Sequence, residues 1–261
     1  MFILVIYTGF TSDNFFTKNN FMNILMNMSS RLVIALGIAG CVITAGCDLS
    51  AGRMIGFGAC ISGMLLQRMD YSGKFFPDMQ PLNVFVVALI AMLVCAAFGT
   101  VTGFFIAYLN VPPFIATLAM MEIVYGIGLI VTNATPLGGY VEQYTNVSNG
   151  KFLGINYLIW IAIIVAAITW FIFNMTRHGK YMYAIGGNPQ AAEVAGVPVK
   201  ATLILIYMKA AAMYGLAGFM LGAKAGGASV QTGYGYEMEA IAACTIGGVS
   251  VSYTHLTLPT N

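Results

Sequence analysis

From Leu82 to Leu109 the chain runs for 28 residues without an acidic or basic side chain. A helix needs about 20 apolar residues to cross the hydrocarbon core of a bilayer, so this run suffices for a tilted or broken spanning helix. The rest of the chain agrees with it. Hydrophobic types make up 59% of the 261 residues and charged types 8%, and the mean hydropathy is +0.83. Soluble domains carry about 25% charged residues. A surface so poor in charge has lipid as its solvent. The net charge of +2 is spread over eleven scattered Lys and Arg, with no basic stripe for a nucleic-acid partner.

Further apolar segments lie at Arg31–Cys47, Met54–Gln67, Phe114–Thr132, Gly154–Asn174 and Ala201–Ala223, and Glu237–Gly248 opens another helix. Met54–Gln67 is shorter than a full span. Met1–Phe10 is an apolar stub, followed by a polar patch, Thr11–Asn20, and an amphipathic lead-in to Asn27. The runs are continuous and do not alternate, which disfavours a β-barrel; a helix satisfies its backbone groups internally in hydrocarbon. The expected fold is therefore all-α: a polytopic transmembrane helical bundle with broken or re-entrant helices. Residues 1–250 read as one transmembrane domain, incomplete at the C-terminus. Val251–Asn261 has no helix period and reads as a non-native tail, with a natural hydrophilic terminus as the alternative. Glycines recur four apart at Gly52/Gly56, Gly99/Gly103 and Gly218/Gly222, a spacing that lets helix backbones approach closely. The five cysteines lie in or beside apolar runs without metal-ligand spacing and read as small buried hydrophobes.

The polar connection Thr176–Lys200 holds the most informative pattern, Asn188-Pro189-Gln190-Ala191-Ala192-Glu193-Val194-Ala195-Gly196. Asn188 suits an N-cap, Pro189 the first helical position and Gly196 a left-handed C′ residue, with Pro198 just beyond. The spacing predicts a helix over Pro189–Ala195, about 10 Å long. Either it closes a surface loop, or it is a lever that docks into a cytoplasmic ATPase. Arg177, Lys180 and Lys200 against the lone Glu193 favour the cytoplasmic side.

A second pattern, Gly46-Cys47-Asp48-Leu49-Ser50-Ala51-Gly52-Arg53, places an acid, a hydroxyl and a base between two apolar segments. Charge at membrane depth costs about 2.5–3.5 kcal/mol on insertion scales and needs an offset. Asp48 or Ser50 can cap a helix starting near Leu49, and Asp48, Ser50 and Gly52 are candidates for the wall of a translocation path. Glu122 and Lys209 fall inside predicted spans; Glu122 is a further path candidate. Glu237 and Glu239 stand near a helix N-terminus but two apart, on different faces. No phosphate-binding loop and no His-Glu-x-x-His site occurs in the sequence.

Thr44–Gly52, Pro113–Leu118, Thr176–Lys180, Ala184–Asn188, Tyr236–Ala243 and Gly247–Ser250 occur in an order that resembles the permease subunits of the ribose/galactose branch of bacterial ABC sugar importers. The likeness covers nearly all of Asn14–Ser250. Ser50–Arg53, Ala107–Val111 and Ile123–Ile127 are most similar to its galactose/methyl-galactoside members. The resemblance implies a multi-pass protein of the bacterial inner membrane that moves a monosaccharide and is not itself an enzyme. It implies no cofactor on this chain, with ATP and Mg on a partner ABC ATPase subunit. It also implies a periplasmic sugar-binding protein, a second permease copy in a homodimer, and surrounding membrane lipid. Asn188–Gly196 would then be the coupling helix. A secondary transporter or channel working without ATP is the rival class, and a membrane enzyme lacks a catalytic constellation.

Overall fold

A computed structural model describes residues 7, 11 and 15–249. The N-terminal stub, apart from Tyr7, and the tail Val251–Asn261 lie outside the described residues. Ten helices and one two-residue hairpin form among them: α1 (Lys18–Ile43), α2 (Ala51–Leu65), α3 (Val84–Tyr108), α4 (Pro113–Thr132), α5 (Glu142–Asn149), β1 (Lys151–Phe152), β2 (Ile155–Asn156), α6 (Tyr157–Met175), α7 (Arg177–Gly187), α8 (Pro189–Val194), α9 (Val199–Ala225) and α10 (Tyr236–Ile246). Five of these helices, α1, α3, α4, α6 and α9, are long and apolar enough to cross a membrane.

The long helices begin and end where local chemistry stops them. Thr17 caps α1, its Oγ1 accepting from Asn20 N at 3.3 Å. No proline follows before Ala45, so the end of the polar patch from Lys18 and the lead-in expected up to Asn27 join Arg31 onward in one continuous helix. That helix ends in a left-handed turn at Ala45 (φ 56°). There Ala45 N donates to Val42 O and Gly46 N to Cys41 O. Asn83 and Asn156 cap α3 and α6, accepting from Phe85 N at 2.9 Å and Leu158 N at 2.8 Å. Pro113 occupies the first turn of α4, where its missing N–H costs nothing.

α9 is the central post. Of the three glycine pairs predicted to admit close helix approach, Gly99/Gly103 and Gly218/Gly222 lie against helices, and Gly52/Gly56 lies against a side chain and a loop. A Cβ on Gly99 would stand 2.4 Å from Tyr207 O, and one on Gly103 2.7 Å from Ile204 Cα, so α3 lies directly on the α9 backbone. A Cβ on Gly218 would stand 2.2 Å from Ile55 O, which brings α2 equally close. Gly52 and Gly56 admit Glu237 and the 230–232 backbone against α2. Every residue of α2 except Arg53 and Leu65 is buried, so this 15-residue helix, about 22 Å long, is enclosed by its neighbours. α3, α4 and α6 instead turn Phe85, Leu93, Ile123, Ile130, Ile164 and Phe171 outward. Apolar surface of that extent suits a membrane-spanning helix.

Two polar connections between the long helices hold further elements. α5 lies within Asn133–Phe152, held by Tyr144, whose hydroxyl donates to Phe219 O at 2.7 Å. α7 lies within Thr176–Lys200 and buries Met182 and Ile185. The absence of strands expected from the sequence holds for the spans; the one hairpin pairs Lys151 with Asn156 and Phe152 with Ile155 outside them. The five cysteines are free, and all but Cys47 are buried.

Candidate functional site

Two regions gather the residues singled out by the sequence. The first is α8. Asn188 Oδ1 accepts from Ala191 N at 2.9 Å, as an N-cap should. Pro189 follows in the first turn. At the other end Gly196 adopts φ +82°; its N–H donates to Glu193 O and that of Val197 to Ala192 O, both at 3.0 Å. These are the paired bonds of a Schellman turn. The helix stops one residue short of the expected Ala195, which is its C-cap. Ala192 is buried and anchors the helix, whereas Gln190, Ala191, Glu193, Val194 and Ala195 are exposed, Val194 at 91%.

α7 and α8 share one end of the bundle with the end of α1 and the start of α9. The Gly186 backbone lies against Ile43 O, and Lys200 Nζ stands 5.2 Å over the Tyr108 ring at the end of α3. The bridges Gln67–Tyr140 and Leu137–Ala228 lie at the other end, with the Lys224–Asn27 hydrogen bond. Arg177, Lys180 and Lys200 thus cluster at the α8 end. His178 stands with them, next to Lys209, and both line one small cavity with Gly37 and Gly40. Burial, and secondarily the Lys209 charge, depress the His178 pKa to about 4. Glu122 is exposed on α4, and the ion pairs among the described residues are Arg31–Glu239 and Arg68–Asp70. Lys209 and Glu122 therefore do not pair.

The second region lies where residues 44–50 pass the middle of α9. Asp48 is 2% exposed. Its Oδ1 accepts from Ser50 N at 3.0 Å and Ser50 Oγ at 2.6 Å, and Oδ2 accepts from the Tyr214 hydroxyl at 3.1 Å. Leu49 N donates to Thr117 Oγ1 at 3.2 Å, which ties this segment to α4. The expected cap is corrected: Ser50 occupies the N-cap position of α2 but its side chain makes no capping bond, because Asp48 holds it. The helix starts at Ala51, not near Leu49. Gly52 leaves room for the Glu237 carboxylate, whose Oε2 would lie 2.1 Å from a Cβ there. Glu237 is 6% exposed, and its Oε2 has no hydrogen-bond partner, as is true of Tyr207 Oη and Arg53 Nε. Glu239 faces away and pairs with Arg31 at 2.7 Å, so the two acids occupy different faces as their spacing requires. Asp48, Ser50 and Gly52 come together; Glu122 stands apart from them on the exposed side of α4.

Sequence reasoning did not find Tyr207, Tyr214 or Thr117 as partners of this segment. The available signal was the spacing of the two tyrosines, seven apart on one long helix, hence on one face. It also missed a cluster beside Gly52. The Arg53 guanidinium lies 3.9 Å from the Tyr125 ring centroid and 4.4 Å from that of Tyr234. Its Nη1 donates to Gln231 Oε1 at 2.8 Å.

Five long apolar helices, among them the central post α9, with an outward apolar belt, define a polytopic α-helical membrane protein. Residues 20–256 match the family described as the permease component of the branched-chain amino acid transport system, and the chain belongs to that family of membrane permease components, which are not catalytic subunits. It is 40% identical to the galactose/methyl galactoside import permease protein of Escherichia coli K12, over 97% of this chain and 77% of that one. It is 42% identical to the corresponding protein of Haemophilus influenzae, over 95% and 77%. It is 32% identical to the ribose import permease protein of Escherichia coli K12, over 97% and 76%. No solved structure matches. The protein is a multi-pass protein of the bacterial inner membrane.

Proposed function

We propose that the chain is the membrane-spanning subunit of an ATP-driven importer for galactose or a methyl galactoside. The observation that carries this reading is the 40–42% identity to two galactose/methyl galactoside import permeases across 95–97% of the chain. Ribose is the second reading, supported by the 32% identity to a ribose import permease. Two copies of the chain form the path, two ATPase subunits drive it, and a periplasmic binding protein delivers the sugar. ATP and Mg belong to the ATPase.

In this mechanism α8 is the coupling helix. Its two ends are fixed by the Asn188 cap and the Gly196 turn, so a push on its exposed face is transmitted as a rigid displacement. The Gly186 contact and the direct passage through Pro198 carry that displacement to α1 and α9. Asp48, Ser50 and Gly52 stand where α2, a short helix broken from α1, meets α10. Broken helices beside a path are a recurring transporter device, because backbone groups left free at the break can face a cavity. Small-residue contacts let such elements slide with little rearrangement. Membrane lipid covers the outer faces of α3, α4 and α6.

The test is uptake of labelled galactose by cells or proteoliposomes holding the permease with its ATPase and binding protein. Glu193→Arg reverses charge on the exposed face of α8 and is expected to leave ATP hydrolysis running while uptake falls. Equal uptake by Glu193→Arg and the parent refutes the coupling assignment. Uptake of ribose in place of galactose selects the second reading.

A further inference from the structure

Arg53, Tyr125, Gln231 and Tyr234 come from three separate segments: α2, α4 and the connection between α9 and α10. The Arg53 guanidinium is held between two rings, 3.9 Å from the centroid of Tyr125 and 4.4 Å from that of Tyr234. Its Nη1 donates to Gln231 Oε1 at 2.8 Å and to Val230 O at 3.3 Å. Gln231 Nε2 in turn donates to the Tyr125 hydroxyl at 3.2 Å. Arg53 Nε is buried without a partner. Tyr234 and Gln231 are exposed. Tyr125 is half-buried, and a Cβ on the neighbouring Gly126 or on Gly235 would meet no atom within 4 Å. Glu122 is one helical turn before Tyr125 on α4 and is also exposed.

This combination fits one ligand chemistry. A pyranose has an apolar face of C–H groups that rests on aromatic rings, and a rim of hydroxyls that demands planar donors and acceptors. Tyrosine supplies both the ring and a polar tip. A guanidinium offers a rigid fork of donors and stacks on rings, and an amide or carboxylate returns acceptors. A purely structural clasp needs none of the exposed groups, and an inorganic ion needs no rings. An ion-conducting role would also favour a ring of like charge, whereas the partners of Arg53 here are two tyrosine rings, an amide and a carbonyl.

Resting on the import reading above, we infer that Arg53, Tyr125, Gln231 and Tyr234 form a sugar-contacting constriction of the translocation path, with Glu122 at its margin. The rings take the apolar face of the sugar. Arg53 and Gln231 exchange their present mutual hydrogen bond for sugar hydroxyls. That exchange keeps binding weak, as passage requires, because each sugar contact replaces one already made. It also links the path to the conformational cycle, since the four residues ride on α2, α4 and the segment leading to α10.

The experiment uses the full-length permease reconstituted in proteoliposomes with its ATPase and binding protein. Cys47→Ser removes the native thiol that is not fully buried, and Gln231→Cys is added to it. A small water-soluble methanethiosulfonate is the probe. Expected is a fall in galactose uptake of about tenfold on modification, with ATP hydrolysis retained, and modification slowed about threefold or more during galactose transport. Tyr234→Ala and Tyr234→Trp supply an independent arm: the alanine variant loses about tenfold in uptake and the tryptophan variant keeps most of it. Modification that galactose does not slow, or equal uptake by Tyr234→Ala and parent, overturns the assignment. Parent complexes that take up neither galactose nor ribose refute the import reading, and this site with it.

Discussion

Tyr207 and Tyr214 sit on one face of α9, both fully buried, and differ in a single respect that a phenylalanine isolates. The Tyr214 hydroxyl donates to Asp48 Oδ2 at 3.1 Å. The Tyr207 hydroxyl has no partner and points at Gly46, where a Cβ would lie 2.5 Å from it. Phenylalanine keeps the ring in each case. Tyr214→Phe removes one of three donors to a buried carboxyl group that cannot find water, a loss of about 1.5–3 kcal/mol. For a chain of this size 1 kcal/mol shifts Tm by about 2–4 °C, so Tm in detergent should fall by about 3–12 °C. Tyr207→Phe relieves an unsatisfied polar group and should leave Tm unchanged or raise it. Differential scanning fluorimetry of both variants in one detergent gives the comparison. Equal losses, or a larger loss at Tyr207, refute the hydrogen-bonding scheme around Asp48.

Three further outcomes follow from the packing and the charges. Gly218→Ala places a Cβ 2.2 Å from Ile55 O and should cost about 1–3 kcal/mol. Gly126→Ala, with no atom within 4 Å of its new carbon, should stabilise by up to about 1 kcal/mol through helix propensity; thermal melts of the two should therefore shift in opposite directions. Ala45→Gly relieves a left-handed alanine at φ 56° and should raise stability by about 1 kcal/mol, read from the same melts. The depressed pKa of His178, about 4 in the fold against an ordinary value near 6.5, means that the unfolded chain binds more protons between these values. Stability contributed by the neutral imidazole is complete above pH 6.5 and is lost as pH falls towards 4. A Tm-against-pH series should show that slope in the parent and a flatter one in His178→Gln.

How far the sequence revealed the molecule depended on the range of each signal. α8 was legible almost to the residue because Asn188, Pro189 and Gly196 mark its ends by local backbone chemistry. The spans were legible because their apolar runs are long. α5 and α7 were not: α5 is mostly polar and α7 contains Gly179, Gly186 and Gly187. Both are helical because Tyr144, Met182 and Ile185 find tertiary partners, which no local window displays. The first turns of the Lys18–Ile43 helix lie outside the apolar run that marks its span, since Asn19, Asn23 and Asn27 are exposed and a polar outward face does not end a helix. Asp48 was found as a costly acid, but its partner Tyr214 lies 166 positions away, a separation that carries no pattern in one sequence. The Arg53 cluster was missed for the same reason, since Tyr125 and Tyr234 meet only through the fold.

The side of the membrane to which α8 belongs decides whether an ATPase can reach it. Val194, 91% exposed on that helix, reports it directly when replaced by cysteine in the Cys47→Ser background. Inside-out vesicles and intact spheroplasts are each treated with a membrane-impermeant maleimide, and a short bifunctional maleimide is applied to vesicles holding the whole complex. Labelling only in inside-out vesicles, together with a cross-linked permease–ATPase product, is the predicted result; labelling in intact spheroplasts contradicts the lever.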